Sequence, residues 1–180
     1  MELMVVIAII GITAALTTPG MGRMYQRYHL KIAARNLSNF LLQARTEAIK
    51  NASFENPRFF RVIFDQTARS YYLQKYEHYV GGNNAWTIEG IRNVLPAGIS
   101  IYQVTNGNTD PSASKGFYFY TPNGTVAYEA LLVKNDGIPG TGDENDTPFV
   151  ATIQLKRGNE GYTVNIYSTS GLVEVKEGLS

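Results

Sequence analysis

From Leu3 to Gly22 the chain runs through twenty consecutive uncharged positions, and within them Leu3 to Leu16 (LMVVIAIIGITAAL) is almost wholly apolar. As a helix rising about 1.5 Å per residue, this run reaches roughly 21 Å at Leu16 and roughly 28 Å at Met21, against a hydrocarbon core of about 30 Å. The length predicts a helix that just spans a bilayer. A secretory signal peptide is the competing reading, since its apolar region is typically about 7 to 15 residues long. Against it, no basic residue precedes the run, Glu2 does, and no convincing small-x-small cleavage site closes it.

Glu2 stands out because a carboxylate at the edge of an apolar helix is costly unless it reaches water or finds a cation. The plainer reading is a terminal charge lying among headgroups. Further along, Gly11, Thr13, Thr17, Thr18, Pro19 and Gly20 weaken the helix. Proline removes an intrahelical hydrogen bond and glycine costs about 1 kcal/mol relative to alanine, so a kink or local melting is expected there.

Beyond Pro19 the pattern becomes amphipathic. Ala33, Leu37, Leu41, Ala44 and Ala48 recur at three- and four-residue spacing, with no Pro or Gly between Met24 and Asn51. One apolar stripe of that length must lie on something, and a following sheet is the natural support. Arg23, Arg27, Lys31 and Arg35 form an i, i+4 series; with Arg45, Lys50 and the lone Glu47 the segment carries a local charge of +5. The series drifts about 40° per step and winds around the helix. It reads as a solvated face, as contacts to acidic surfaces of neighbouring subunits, or as a DNA contact.

The run ELMVVIAIIGITAALTTP, with Glu2, Gly11 and Pro19 in place, closely resembles the N-terminus of type IV pilins and type II secretion pseudopilins. The segment Ala33 to Asn51 (AARNLSNFLLQARTEAIKN) is similar to the second helical half of the GspH/FimT group of minor pseudopilins, through Ala33, Ala34, Arg35, Leu37, Leu42, Ala44, Arg45, Glu47, Ala48 and Ile49. The resemblance implies a single-pass subunit of the bacterial inner membrane, with its β domain outside the cytoplasm, that leaves the bilayer for a helical filament. Glu2 then pairs with a neighbour's N-terminal amine. Prepilin peptidase is implied as a processing partner, and the other partners are pilin or pseudopilin subunits. Met1 stands where the family has the residue before its glutamate, so the basic leader and cleavage site are expected upstream of this sequence.

After Asn51 the period changes from 3.6 to 2. Arg58 to Asp65 (RFFRVIFD) and Ser70 to Glu77 (SYYLQKYE) read as a hairpin. Further strands are expected at 99–104, 116–120, 125–132, 149–156, 162–167 and 172–176, separated by turn-rich stretches such as GGNN at 81 and RGNEG at 157. The expected fold class is α+β: a long N-terminal helix, transmembrane then amphipathic, packed on an antiparallel β-sheet domain, pilin-like. The divisions are an assembly helix over 1–22, a helical extension over 23–51 and a GspH-like β domain over 52–180.

No catalytic residue is nominated. The chain has no cysteine, which excludes thiol chemistry, disulfides and Cys-ligated metals. His29 and His78 are far apart in sequence, and no HExxH, GxSxG or P-loop lysine is present. The loop Lys134 to Thr147 concentrates Asp136, Asp143, Glu144 and Asp146 among glycines, a candidate Ca²⁺ site that otherwise reads as a solvated connection. A formal charge of +1 removes the global argument for nucleic-acid binding. The closing GLVEVKEG, with Glu174 and Glu177, also counts against the alternative of a DNA-uptake (FimT-like) minor pilin. The function expected is therefore a non-enzymatic minor pseudopilin of a type II secretion pseudopilus or related type IV pilus.

Overall fold

The computed structural model describes residues 2–51, 59–77, 85–105, 115–119, 126–128 and 150–179; within these, the side chains of 2, 14–21 and 23 are among those not described. Helix α1 (Glu2–Lys50) is followed by nine strands: β1 (Phe59–Asp65), β2 (Ser70–Glu77), β3 (Ala85–Val94), β4 (Ser100–Thr105), β5 (Lys115–Phe119), β6 (Val126–Tyr128), β7 (Val150–Arg157), β8 (Glu160–Tyr167) and β9 (Val173–Glu177).

The backbone of α1 is helical across Gly11 and Pro19, without the local melting expected there. Thr13 Oγ1 donates to the carbonyls of Ile9 and Ile10 at 2.9 and 3.0 Å, turning its hydroxyl onto the preceding turn. The helix closes at Asn51, whose Nδ2 donates to Glu47 O at 2.8 Å while its backbone N donates to the same carbonyl. Leu30, Ala33, Ala34, Leu37, Leu41, Ala44 and Ala48 form its buried stripe. The four alanines let the helix axis come close to the sheets, and the leucines fill the gaps on either side.

That stripe covers two antiparallel sheets. One has the order β3-β2-β1-β5-β6 and the other β4-β7-β8-β9. The helix touches β1 and β5 of the first and β7, β8 and β9 of the second. The shared core includes Phe60, Val62 and Phe64 from β1, Ile153 and Leu155 from β7, and Val164 and Ile166 from β8. Local chemistry sets the hairpins. Asp65 Oδ1 accepts from the backbone N of Ala68 at 2.7 Å in the β1–β2 turn, and Gly158 takes φ +59° in the two-residue β7–β8 turn.

The expectation of a transmembrane helix packed on an antiparallel β-sheet domain is corrected on two counts. First, among the described residues no helix is long and apolar enough to cross a membrane. Over 24–50 the helix is amphipathic, with one buried stripe and charged residues on its other faces. The inner-membrane, single-pass placement with the β domain outside the cytoplasm is corrected by the same finding. Second, the strands make two sheets, because the chain turns at Pro96–Ile99 and carries β4 away from β3; Ile99 N donates to Pro96 O at 3.1 Å. Strand β3 was not expected from sequence. Its alternation breaks at Gly90, at φ +77°, where the register against β2 slips between Tyr71 and Leu73.

Candidate assembly interface

The large apolar side chains of the first described stretch of α1 are exposed. Leu3, Met4, Val5, Val6, Ile7, Ile9, Ile10 and Ile12 are each 54–78% exposed, and a Cβ at Gly11 would have open space around it. Successive residues turn by about 100°, so this run exposes apolar surface on every side of the helix. Contiguous apolar surface of that kind marks an interaction site. A single partner groove covers one side; enclosure on all sides takes several neighbours. Glu2 and Pro19 lie within the helical backbone at either end of this region, and their side chains fall outside the described residues.

The basic series does not act as one unit. Arg27 Nε donates to Glu160 Oε1 at 2.5 Å, tying the helix to the start of β8. The carboxylate raises the guanidinium pKa, first through the hydrogen bond and then through its charge. Beside this pair, Tyr162, Glu177 and Leu179 help line a cleft of about 260 Å³. Burial, more than the neighbouring Glu177, pushes the Tyr162 hydroxyl up, while Arg27 and Arg35 pull it back. Lys31 and Arg35 are exposed, and the side chain of Arg23 lies outside the described residues. Of the four, Arg27 is thus turned to its own domain, and Lys31 and Arg35 remain available for an outside anion.

Sequence reading passed over Met24, Tyr25 and Tyr28, which are 61–76% exposed between the apolar stretch and the buried stripe. His29 sits edge-on to Tyr25, ring centroids 4.2 Å apart. The signal was available: these residues are large and apolar yet fall out of the register set by Leu30, Ala33 and Leu37.

The calcium candidates Asp136, Asp143, Glu144 and Asp146 lie outside the described residues, as does His78. Among the described residues no group of three or more His, Asp or Glu is placed to hold a metal. Compared with known proteins, the chain matches no family model, no curated protein and no solved structure. Its functional reading therefore rests on its own residues and geometry.

Proposed function

We propose that this chain is a structural, non-catalytic filament subunit, a minor pseudopilin of GspH/FimT type in a type II secretion pseudopilus or a related type IV pilus, assembling through its N-terminal helix. The observation that carries the reading is the exposure of Leu3 to Ile12 on every face of a helix whose later half buries one stripe against its own domain. Association of this helix with helices of neighbouring copies removes that apolar surface from water, at roughly 25 cal/mol per Å². The motif from Glu2 to Pro19 supports the same reading, with Glu2 meeting a neighbour's N-terminal amine. Exposed Tyr25, Tyr28, Lys31 and Arg35 continue the contact surface towards the β domain.

The cysteine-free sequence makes the test clean. Ile7→Cys, Ile9→Cys and Ile10→Cys sample three sides of the helix, and under mild oxidation each should give disulfide-linked dimers. The paired Ile7→Cys/Ile9→Cys variant should give a ladder beyond the dimer. Cross-linking from one side alone, with the paired variant stopping at the dimer, would sink the filament reading. Glu2→Ala should block incorporation while leaving the strand signature in circular dichroism unchanged; normal incorporation removes Glu2 from the mechanism.

A further inference from the structure

Gly161 stands near the start of β8, where a glycine weakens a strand, yet its φ lies outside the left-handed region that Gly158 and Gly178 occupy. The backbone therefore does not call for a glycine here; a side chain does. A Cβ at Gly161 would overlap Cγ and Cδ2 of Leu179, whereas at Gly158, in the turn before it, a Cβ would meet nothing. Leu179 sits directly on the β8 backbone, in a seat opened by the missing side chain.

The segment that carries Leu179 is tied down just before it. Gly178 N donates to Gly161 O at 2.9 Å, and Thr163 Oγ1 donates to Gly178 O at 2.7 Å. Gly178 takes φ +103°, a conformation open to glycine, in the turn that lays the next residue on Gly161. Leu179 itself is 40% exposed, so a rotamer change carries its side chain from the seat into solvent.

The seat adjoins the ion pair that holds the helix. Glu160 directly precedes Gly161, Glu177 directly precedes Gly178, and Tyr162 stands opposite Glu177 in the β8–β9 register. Arg27 enters the same cleft from α1 to pair with Glu160, and Leu179 forms one of its walls. Both carboxylates raise the guanidinium pKa, Glu160 foremost. The backbone bond between Gly178 and Gly161 thus sets the spacing of the two acids that Arg27 meets. Displacing Leu179 loosens the peptide at Gly161, and with it the position of Glu160.

We propose that Leu179 on Gly161 is a latch: seated, it holds Glu160 in place for Arg27 and fixes the direction in which the exposed half of α1 leaves the β domain; swung out, it releases the helix over 24–30. The device is intramolecular. It stands whether or not the exposed stretch enters a filament.

Amide hydrogen exchange followed by NMR on the full chain tests it. Gly161→Ala fills the seat and turns out the flexible end of Leu179, and Leu179→Ala empties the seat without any overlap. Each should speed exchange over 24–30 by about 2- to 5-fold, the range of an exposed ion pair, while the core amides at 164–166 keep the parent's rates. In the paired variant Arg27→Ala/Leu179→Ala the two accelerations should not compound, because the second change removes a contact already lost. Coupling is reciprocal, so Arg27→Ala should also speed exchange of the Gly178 amide. Parent rates over 24–30 in both seat variants, accelerations that compound in the paired variant, an unchanged Gly178 amide in Arg27→Ala, or equal acceleration at 164–166 would each overturn the latch. The cross-linking pattern at Ile7, Ile9 and Ile10 has no bearing on these outcomes.

Discussion

Arg27 and Glu160 lie 133 positions apart and meet through a 2.5 Å hydrogen-bonded ion pair at the point where the helix leaves the β domain. Just after it, Leu30 begins the fully buried stripe; just before it, Met24 and Tyr25 are exposed. The pair therefore marks the boundary between the packed and the unpartnered halves of α1. Because the guanidinium is 66% exposed, water and salt screen it, and its role is to hold direction more than to hold the fold. Arg27→Ala should leave the urea midpoint unchanged within error while speeding amide hydrogen exchange over 24–30. A large fall in the midpoint would show that the pair does more than orient the helix.

Leu37 is 0% exposed at the centre of the helix stripe, whereas Leu42 on the neighbouring face is 40% exposed. Leu37→Ala removes packing that the surrounding alanines and strands cannot refill, and should cost about 2–5 kcal/mol in urea unfolding. Leu42→Ala should stay within about 0.5 kcal/mol. Similar losses for the two would mean the helix does not lie on the sheets in this register.

The crossing between the sheets depends on Gly98, which takes φ +80° in the Pro96–Ile99 turn. A Cβ there would sit 3.5 Å from Arg157 Nε, an ordinary contact, so the penalty of substitution is conformational and not steric. Gly98→Ala should destabilise by about 1–2 kcal/mol, and Gly98→Asn by less, since asparagine tolerates the left-handed region. Equal stability of the alanine variant and the parent by thermal denaturation would contradict the turn geometry.

On β8 and β9, Tyr167 donates from its hydroxyl to Glu174 Oε2 at 2.8 Å, and Lys176 Nζ lies 3.1 Å from the same oxygen. The Tyr167 hydrogen bond, and then Lys176, hold the Glu174 carboxyl below its ordinary 4.5. A depressed carboxylate contributes stability that is present above the unfolded value and lost as pH falls through the folded one. On the alkaline side Tyr167 is raised above its ordinary 10.0, chiefly by the same hydrogen bond, so its share is lost as pH rises through that higher value. In an NMR titration, Tyr167→Phe should move the Glu174 midpoint upward towards 4.5. A midpoint that does not move would remove Tyr167 as the cause.

Much of the architecture was legible in the chain because it depends on neighbours a few residues apart. The spacing of Ala33, Leu37, Leu41, Ala44 and Ala48 named the buried face of α1, and the structure adds Leu30 and Ala34 to it. The runs at 58–65 and 70–77 became β1 and β2 almost to the residue. Strand β3 escaped because Gly90 interrupts the period-two pattern, and its pairing with β2 survives only by a register slip. The membrane-spanning expectation came from counting uncharged positions across Leu3 to Gly22, whereas among the described residues no helix is long and apolar enough to cross a membrane.

The sequence by itself determined most of the elements, β3 excepted, with the register of the buried helix stripe and the β1–β2 and β7–β8 turns, since periodicity, Asp65 and Gly158 act within their own few residues. The tertiary structure alone decided that the strands form two sheets under one helix, and that Arg27 is spent on Glu160 while Lys31 and Arg35 face outward. It alone laid Leu179 on Gly161 beside that ion pair. Those outcomes join residues far apart in the chain, and which of them meet is settled by long-range packing of the apolar stripe, which no local pattern encodes.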